Sequence, residues 1–345
     1  MRSEAKTPAV TSVKAMRVIF IFEYFFPPFD EGVKNLAYMI HSAVSEKNTT
    51  ELIRDVSGLP HSLNSILILP RIIASALFLH PDKIIYIPKG ALTFSGFIKS
   101  WVLEKLFGDR TSIVSVQKKQ LTDRQASIVR HLQLRNVFAL SNTMASGLGE
   151  YGVDAKTLFA GIDRDRFKPD ANPGTLRKKY GISDSRPIVL HVGHIRASRN
   201  IEWLGQIQEE MPDLQVLLVG STNTEQDLSL ATELENKGVI IIRKALPDIQ
   251  EIYQLSSWYC FPVMIQDAAM EIPLSVLEAM ATNLPVITTR FGQLPELFNE
   301  DGHFQYVTSV DEIIMKLNNG LVEDCHNRKK TEPYTWQRTA ELLLQ

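Results

Sequence analysis

Cysteine is scarce in this sequence, which has two in 345 residues, Cys260 and Cys325. Two thiols cannot build a disulfide framework, so the sequence predicts a protein of the reducing cytoplasm. No CxxC or HExxH pattern is present, and no cluster of His and Asp has the spacing of metal ligands. We therefore predict that the protein holds neither a metal nor a cofactor.

Long apolar runs are also lacking. Residues 1–15 have no hydrophobic segment of the kind found in signal peptides, and they predict a disordered leader. No uncharged apolar run reaches the roughly 18 residues that a membrane-spanning helix needs. The nearest, residues 65–80, contains Pro70 and Arg71. This segment predicts a helix buried in the protein. The alternative is a helix that lies on a bilayer surface, at the inner face of the membrane.

An excess of one charge is the third missing feature. The chain has 37 Lys and Arg against 39 Asp and Glu, a formal net charge of −2. This balance gives no reason to expect nucleic acid as a partner. Hydrophobic residues make up 44% and charged residues 22% of the chain, as in ordinary soluble globular proteins. A chain of this length is enough for two domains.

Short apolar runs alternate with helical segments along most of the chain, and this alternation predicts two parallel-sheet α/β domains. The runs are typical of strands buried on both faces. They lie at residues 16–22, 83–87, 111–116 and 136–140, and again at 188–192, 214–219, 239–242, 258–261 and 286–288. A turn-forming segment at 170–174 separates the domains, 16–170 and 175–330. Residues 331–345 contain a final amphipathic helix.

Residues 270–290, MEIPLSVLEAMATNLPVITTR, carry the most informative local pattern. Pro273 suits the first turn of a helix, where its missing N–H loses no bond. Asn283 suits the left-handed position after the last turn. Glu278 falls at the edge of the apolar arc of this helix, so we expect a half-buried carboxylate that needs a partner. Taken alone, Glu278 is more consistent with a structural salt bridge or a surface charge than with a binding role.

The order of loop, PLSVLEAMA, small turn and LPVITT resembles the retaining glycosyltransferases of family 4, glycosyltransferases group 1. That family usually has a Glu, seven residues, a second Glu, then Ala-Met-Ala and a strand. Glu278 matches the second glutamate, which in the family binds the donor ribose. The seven-residue spacing places Met270 at the first, and the nearest carboxylate is Glu271. The resemblance implies the GT-B fold, in which two Rossmann-like domains face each other across a cleft.

The loop after the strand at 188–192 resembles the family's G-R-[LIV]-x-x-x-K-G segment, whose Arg and Lys bind the donor diphosphate. Gly193 matches the first glycine, His194 takes the arginine position and Arg199 the lysine position, with Arg196 as a further cation. An Arg keeps the charge and adds a planar fork suited to phosphate oxygens. The resemblance implies that Arg199 and Glu271 act in catalysis.

Further residues are assigned to the donor site by the same resemblance. The family has a glycine-containing loop after the first strand, which Gly32 matches here. It also has a histidine after the strand at 111–116, and Gln117 takes that position in this chain. With residues at the ends of other strands, the predicted donor-binding set is Gly32, Gln117, Gly193, His194, Arg196, Gly220, Ser221, Arg243, Leu274 and Glu278. In the family, the C-terminal helix packs back on the N-terminal domain.

The implied function is retaining transfer of a sugar from a nucleoside-diphosphate sugar to a hydroxyl acceptor, without a metal. The acceptor could be a glycan, a lipid-linked molecule or a small molecule, and a lipid-linked acceptor would bring the N-terminal domain into peripheral membrane contact. Two alternatives stay open at this point. One is a sugar-nucleotide epimerase, which shares the fold. The other is a non-catalytic relative that binds a sugar nucleotide, as the substitutions at Met270, His194 and Gln117 would allow.

Overall fold

A computed structural model describes residues 15–345 apart from 89–90, 118, 171, 183–184, 222–225 and 321–323. The predicted leader, except for its last residue, lies outside this part of the chain. The described residues form two α/β halves, each built on one parallel sheet.

Six parallel strands form the sheet of the first half. They are β1 (Arg17–Phe22), β2 (Thr49–Ile53), β3 (Lys83–Ile87), β4 (Thr111–Ser115), β5 (Val137–Ala139) and β6 (Ala155–Thr157). Their order across the sheet is β2-β1-β3-β4-β5-β6. The helices of this half are α1 (Gly32–Ser45), α2 (His61–Leu79), α3 (Phe94–Phe107), α4 (Asp123–Arg130) and α5 (Asn142–Gly149). The sequence misses β2 and β6 because their side chains are largely polar and half-exposed.

The second half repeats this plan. Its strands are β7 (Ile188–Gly193), β8 (Gln215–Gly220), β9 (Ile240–Ile242), β10 (Trp258–Phe261), β11 (Val286–Thr288) and β12 (Phe304–Tyr306). Their order is β12-β11-β10-β7-β8-β9. The helices are α6 (Pro173–Lys179), α7 (Glu202–Glu210), α8 (Leu228–Asn236), α9 (Ile249–Gln254), α10 (Leu274–Ala281), α11 (Leu294–Leu297), α12 (Val310–Asn318), α13 (Asn327–Lys330) and α14 (Trp336–Leu344). The prediction of two parallel-sheet α/β units is confirmed.

Each sheet reverses its strand order once, between β1 and β3 in the first half and between β7 and β10 in the second. At such a point the connections on either side run to opposite faces of the sheet, and a crevice opens at the carboxyl ends of the strands. The loops that follow β1 and β7 both border the space between the halves. The topology therefore predicts a ligand site in this cleft.

Helix α2 differs from its prediction. The segment is helical, but one face alone is buried, with Ile68 and Ile72 0% and 1% exposed, whereas Ile66 and Phe78 are 69% and 85% exposed. The prediction of a buried helix is therefore wrong, because apolar composition does not show how many faces a helix packs. By length and composition, Ser62–Leu79 is also a segment of the described chain that could cross a membrane. The segment contains Arg71, so it does not contradict the expectation that no uncharged apolar run is long enough to span a membrane.

The final helix, α14, crosses from the second half and packs against α1 of the first. The hydroxyl of Ser112 donates a buried hydrogen bond of 2.7 Å to the carbonyl O of Leu343. At the start of the helix the chain crosses Gly161 so closely that a Cβ on this glycine would overlap the backbone of Trp336. The two halves are thus joined by backbone contacts as well as by side chains.

Candidate functional site

A cavity of about 640 Å³ lies between the two halves. This volume is in the usual range of small-molecule and cofactor sites. The first half contributes the loop after β1 and the start of α1, and the second half contributes the loops after β7, β8 and β9 with the start of α10. The cavity is therefore where the strand orders of both sheets place a ligand.

Arg199 brings a buried positive charge to this cavity. It ends the turn Ala197–Arg199 after β7, and its Nε donates a hydrogen bond of 3.0 Å to the carbonyl O of Ala268. Gly193 makes room for the guanidinium, since a Cβ there would lie 2.6 Å from Nη1. Burial lowers the pKa of Arg199 to about 10, so the group stays a cation at neutral pH. A guanidinium fixed in this way is suited to two oxygens of a phosphate group.

His194 lines the cavity beside this arginine, and its buried Nδ1 has no hydrogen-bond partner among the described residues. Burial, followed by the charges of Arg199 and Arg196, lowers the pKa of His194 to about 4. The ring is therefore neutral at pH 7 in the free protein. An anion bound among these three groups would favour the charged form and raise that pKa.

His191 lies next to Gly193 of the cavity wall, although it is not part of the lining itself, and the sequence analysis does not identify it. Its side chain is fully buried in β7, with Nδ1 2.9 Å from the carbonyl O of Cys260. A carbonyl can only accept, so Nδ1 carries the proton and Nε2 is an acceptor, which has no partner among the described residues. A Cβ on Gly193 would lie 2.9 Å from this Nε2. The sequence signal that could have identified His191 is the presence of a histidine inside the otherwise apolar strand at 188–192.

Glu278 provides a buried carboxylate in the second turn of α10. This helix begins after Pro273 and ends before Asn283, whose φ is 66°, as predicted. Glu278 is 8% exposed, which is less than the half-burial expected, and the Tyr253 hydroxyl donates to its Oε2 at 2.6 Å. Burial raises the pKa of Glu278, against the hydrogen bond from Tyr253 and the charge of Arg166. Because Glu278 also lines the cavity, its carboxylate can accept hydrogen bonds from ligand hydroxyls.

The cavity wall includes two cations that are not in the predicted donor-binding set. Arg166 precedes the linker between the halves, and its Nη2 donates a hydrogen bond of 2.7 Å to the carbonyl O of Pro247. Lys244 lines the cavity after β9. Its neighbour Arg243, which was predicted to bind the donor, is not part of the lining and forms a 2.6 Å ion pair with Glu235 instead. Side chains of successive residues near a strand end point in different directions, which the sequence does not resolve.

Glu271 also lies outside the lining of the cavity, and Met270 takes its place there. The Ser141 hydroxyl of the first half donates a 3.3 Å hydrogen bond to Oε2 of Glu271. Met270 packs against Gly32, where an added Cβ would lie 3.1 Å from its sulfur. Both residues thus contribute to the contact between the halves. A catalytic role for Glu271 stays a prediction.

Ten of the twelve predicted site residues line the one cavity: Gly32, Gln117, Gly193, His194, Arg196, Arg199, Gly220, Ser221, Leu274 and Glu278. They come from five separate parts of the chain, so the fold brings residues that are distant in sequence into one site. Within the described ranges, no group of three or more His, Cys, Asp or Glu side chains is placed to hold a metal ion.

Comparison with known sequences finds a family match for part of the chain. Residues 186–321, which contain β7 to β12, match the family described as Glycosyl transferases group 1. Sulfoquinovosyl transferase SQD2 of Arabidopsis thaliana is 24% identical over 192 residues, covering 51% of this chain and 36% of that protein. Spore coat protein SA of Bacillus subtilis (strain 168) is 25% identical over 237 residues, covering 59% of this chain and 61% of that protein. The matched segments thus span less than two thirds of these relatives.

Comparison with solved structures concerns the whole fold. The structure of HepE from Anabaena, solved in complex with UDP and glucose, has a TM-score of 0.71 and 14% sequence identity, covering 95% of this chain and 98% of that one. At this identity the likeness shows the fold, which is GT-B. The protein therefore has the GT-B fold, and residues 186–321 in its second half match the group 1 glycosyltransferase family.

Proposed function

We propose that the protein transfers a sugar from a nucleoside-diphosphate sugar to a hydroxyl acceptor. The observation that carries this proposal is the convergence, in one cleft cavity, of Arg199, Arg196 and His194 with the carboxylate of Glu278. The cationic loop after β7 suits the diphosphate, and the carboxylate of α10 suits the ribose hydroxyls. The match to the group 1 family and the GT-B fold support the same conclusion.

The reaction needs stabilisation of a leaving diphosphate. The bond between the sugar C1 and the phosphate oxygen breaks, its electron pair leaves with the diphosphate, and the acceptor oxygen forms the new bond to C1. We infer that Arg199 and Arg196 neutralise the developing charge in place of a metal, because both line the cavity and Arg199 is a preorganised cation. In the retaining course that we propose, the acceptor proton passes to the leaving phosphate. This route requires no separate base from the protein.

The donor nucleotide is tested first with UDP, because the related HepE structure contains UDP and glucose. The experiment combines calorimetric binding of UDP, GDP and ADP with hydrolysis assays of their glucose conjugates. We expect binding and slow hydrolysis of one donor, with both lowered in Arg199→Ala and Glu278→Gln. Binding with no turnover on any donor would favour a non-catalytic relative. Conversion of the donor to its epimer would favour an epimerase, and the absence of all nucleotide binding would refute the site.

A further inference from the structure

Helix α2 turns an apolar face to the outside of the first half. Leu63, Ile66, Leu67, Leu77 and Phe78 are 40%, 69%, 36%, 68% and 85% exposed. At 100° per residue these five side chains, with the exposed prolyl and alanyl positions between them, fall within about 120° of one another. They form a single stripe along most of the helix. Soluble monomers rarely leave a continuous apolar surface of this kind uncovered.

The opposite face of α2 is held in the core. Ile68, Ile72 and Ala76 are 0%, 1% and 3% exposed, and the helix contacts β1 and β2. Crossing a bilayer would require these side chains to leave the sheet. The helix, about 28 Å long at 1.5 Å per residue, is therefore fixed lengthwise on the surface. This geometry fits a partner that is itself a broad apolar layer, contacted from one side.

The charge of the surrounding sequence is strongly positive, although the whole chain carries −2. Residues 56–135, which include α2, α3 and α4, contain 11 Lys or Arg and four Asp or Glu, a net charge of +7. No acidic residue occurs from 56 to 81. Lys105, Arg124 and Arg130 are among the exposed bases of α3 and α4. The apolar stripe thus lies in the basic part of an otherwise acidic protein.

The three helices lie side by side, so their outer faces form one surface. Lys99 of α3 donates a 3.0 Å hydrogen bond to the hydroxyl of Ser65 in α2, and α3 contacts α4. The three helices form the connections from β2 to β3, from β3 to β4 and from β4 to β5, and all three connections run in the same direction across the sheet. Right-handed connections that run in one direction place their helices on the same side of the sheet. An apolar stripe beside exposed bases is the pattern of an interfacial membrane contact.

We propose that this face, α2 with the bases of α3 and α4, docks the protein onto an anionic lipid bilayer. A second copy of the chain is the competing occupant of the stripe. Two copies of this basic region would repel each other, whereas anionic lipid headgroups would be attracted to it. The proposal does not depend on sugar transfer, since it concerns a surface outside the cleft.

The test is co-sedimentation of the full chain with vesicles of phosphatidylcholine alone and with about a third phosphatidylglycerol. We expect binding to the anionic vesicles that weakens with added salt. The variant Ile66→Ser/Leu77→Ser/Phe78→Ser should bind them at least about tenfold more weakly, because it removes the most exposed apolar groups. Arg124→Glu/Arg130→Glu should lower binding in the same direction. Nucleotide binding should be unchanged in both, which separates this test from that of the cleft.

The matched control is Leu228→Ser/Met315→Ser in the second half, where the two side chains are 64% and 59% exposed. It should bind vesicles as the unaltered protein does, and melting curves show whether every variant is folded. Equal vesicle binding by the triple serine variant would overturn the proposal. So would an absence of vesicle binding combined with a concentration-dependent dimer that the serine substitutions abolish, because the stripe would then be covered by a second copy.

Discussion

Replacement of Glu278 by Gln separates the binding role of this carboxylate from a structural role. The side chain keeps its shape, and an amide oxygen can still accept the hydrogen bond that Tyr253 donates at 2.6 Å. What is lost is the negative charge and one acceptor towards the cavity. Because burial raises the pKa of Glu278, the free protein bears the cost of a desolvated charge, which Gln removes. We therefore expect the melting temperature to change little.

The expected loss of nucleotide affinity follows from the hydrogen bonds involved. A bond to a charged acceptor contributes about 1.5–3 kcal/mol and a neutral one about 0.5–1.5 kcal/mol. With one or two ribose hydroxyls on the carboxylate, Glu278→Gln should weaken binding by about 1–3 kcal/mol, or roughly fivefold to 150-fold in Kd.

Isothermal titration with UDP, or with whichever nucleotide binds in the screen, measures this change. Glu209→Gln is the control, because it removes a surface carboxylate paired with Lys237 at 3.3 Å and does not alter the cavity wall. Both variants should melt close to the unaltered protein. An unchanged Kd in Glu278→Gln would show that the carboxylate is structural and that the ribose lies elsewhere.

Four further predictions concern the cleft and the crossing of the chain. Arg199→Ala should cost about 2–4 kcal/mol in transition-state stabilisation, and Arg196→Ala should cost less than half of that. His194→Arg should preserve or raise kcat/KM. A larger effect of Arg196→Ala than of Arg199→Ala would mean that this loop is aligned differently from the family's diphosphate-binding loop. Bound diphosphate should raise the pKa of His194 from about 4, so affinity should rise as the pH falls below neutrality, and titration in buffers of different ionisation heat should show proton uptake. Turnover should persist in excess EDTA, and a loss reversed by Mg²⁺ or Mn²⁺ would refute the metal-free route. Gly161→Ala should destabilise the fold by about 1–3 kcal/mol, measured by urea denaturation, because the Cβ meets backbone. Gly302→Ala, with open space around it, is the control and should unfold at nearly the same urea concentration as the unaltered protein.

Local sequence patterns predict the elements of this protein where a strand is buried on both faces. Lys83–Ile87 and Trp258–Phe261 are strands with the predicted bounds, and every residue in them is buried. Such strands show as continuous apolar runs. Thr49–Ile53 lies at the edge of its sheet and is mostly not buried, so no run marks it. The helix Leu274–Ala281 was predictable because its proline and asparagine boundaries are local signals as well.

The sequence by itself determined most of the strands and helices, though not β2 and β6, and with them the loop that carries Arg199 and the helix that carries Glu278. These are properties of neighbouring residues, which periodicity and turn chemistry record. The tertiary structure alone decided which side chains enter the cavity: Arg166 and Lys244 line it, while Arg243 pairs with Glu235 outside it. It also decided that α2 is buried on one face only. The reason is physical. These outcomes depend on how segments far apart in the chain pack against one another, and the local composition of a segment does not show which other segments it will contact.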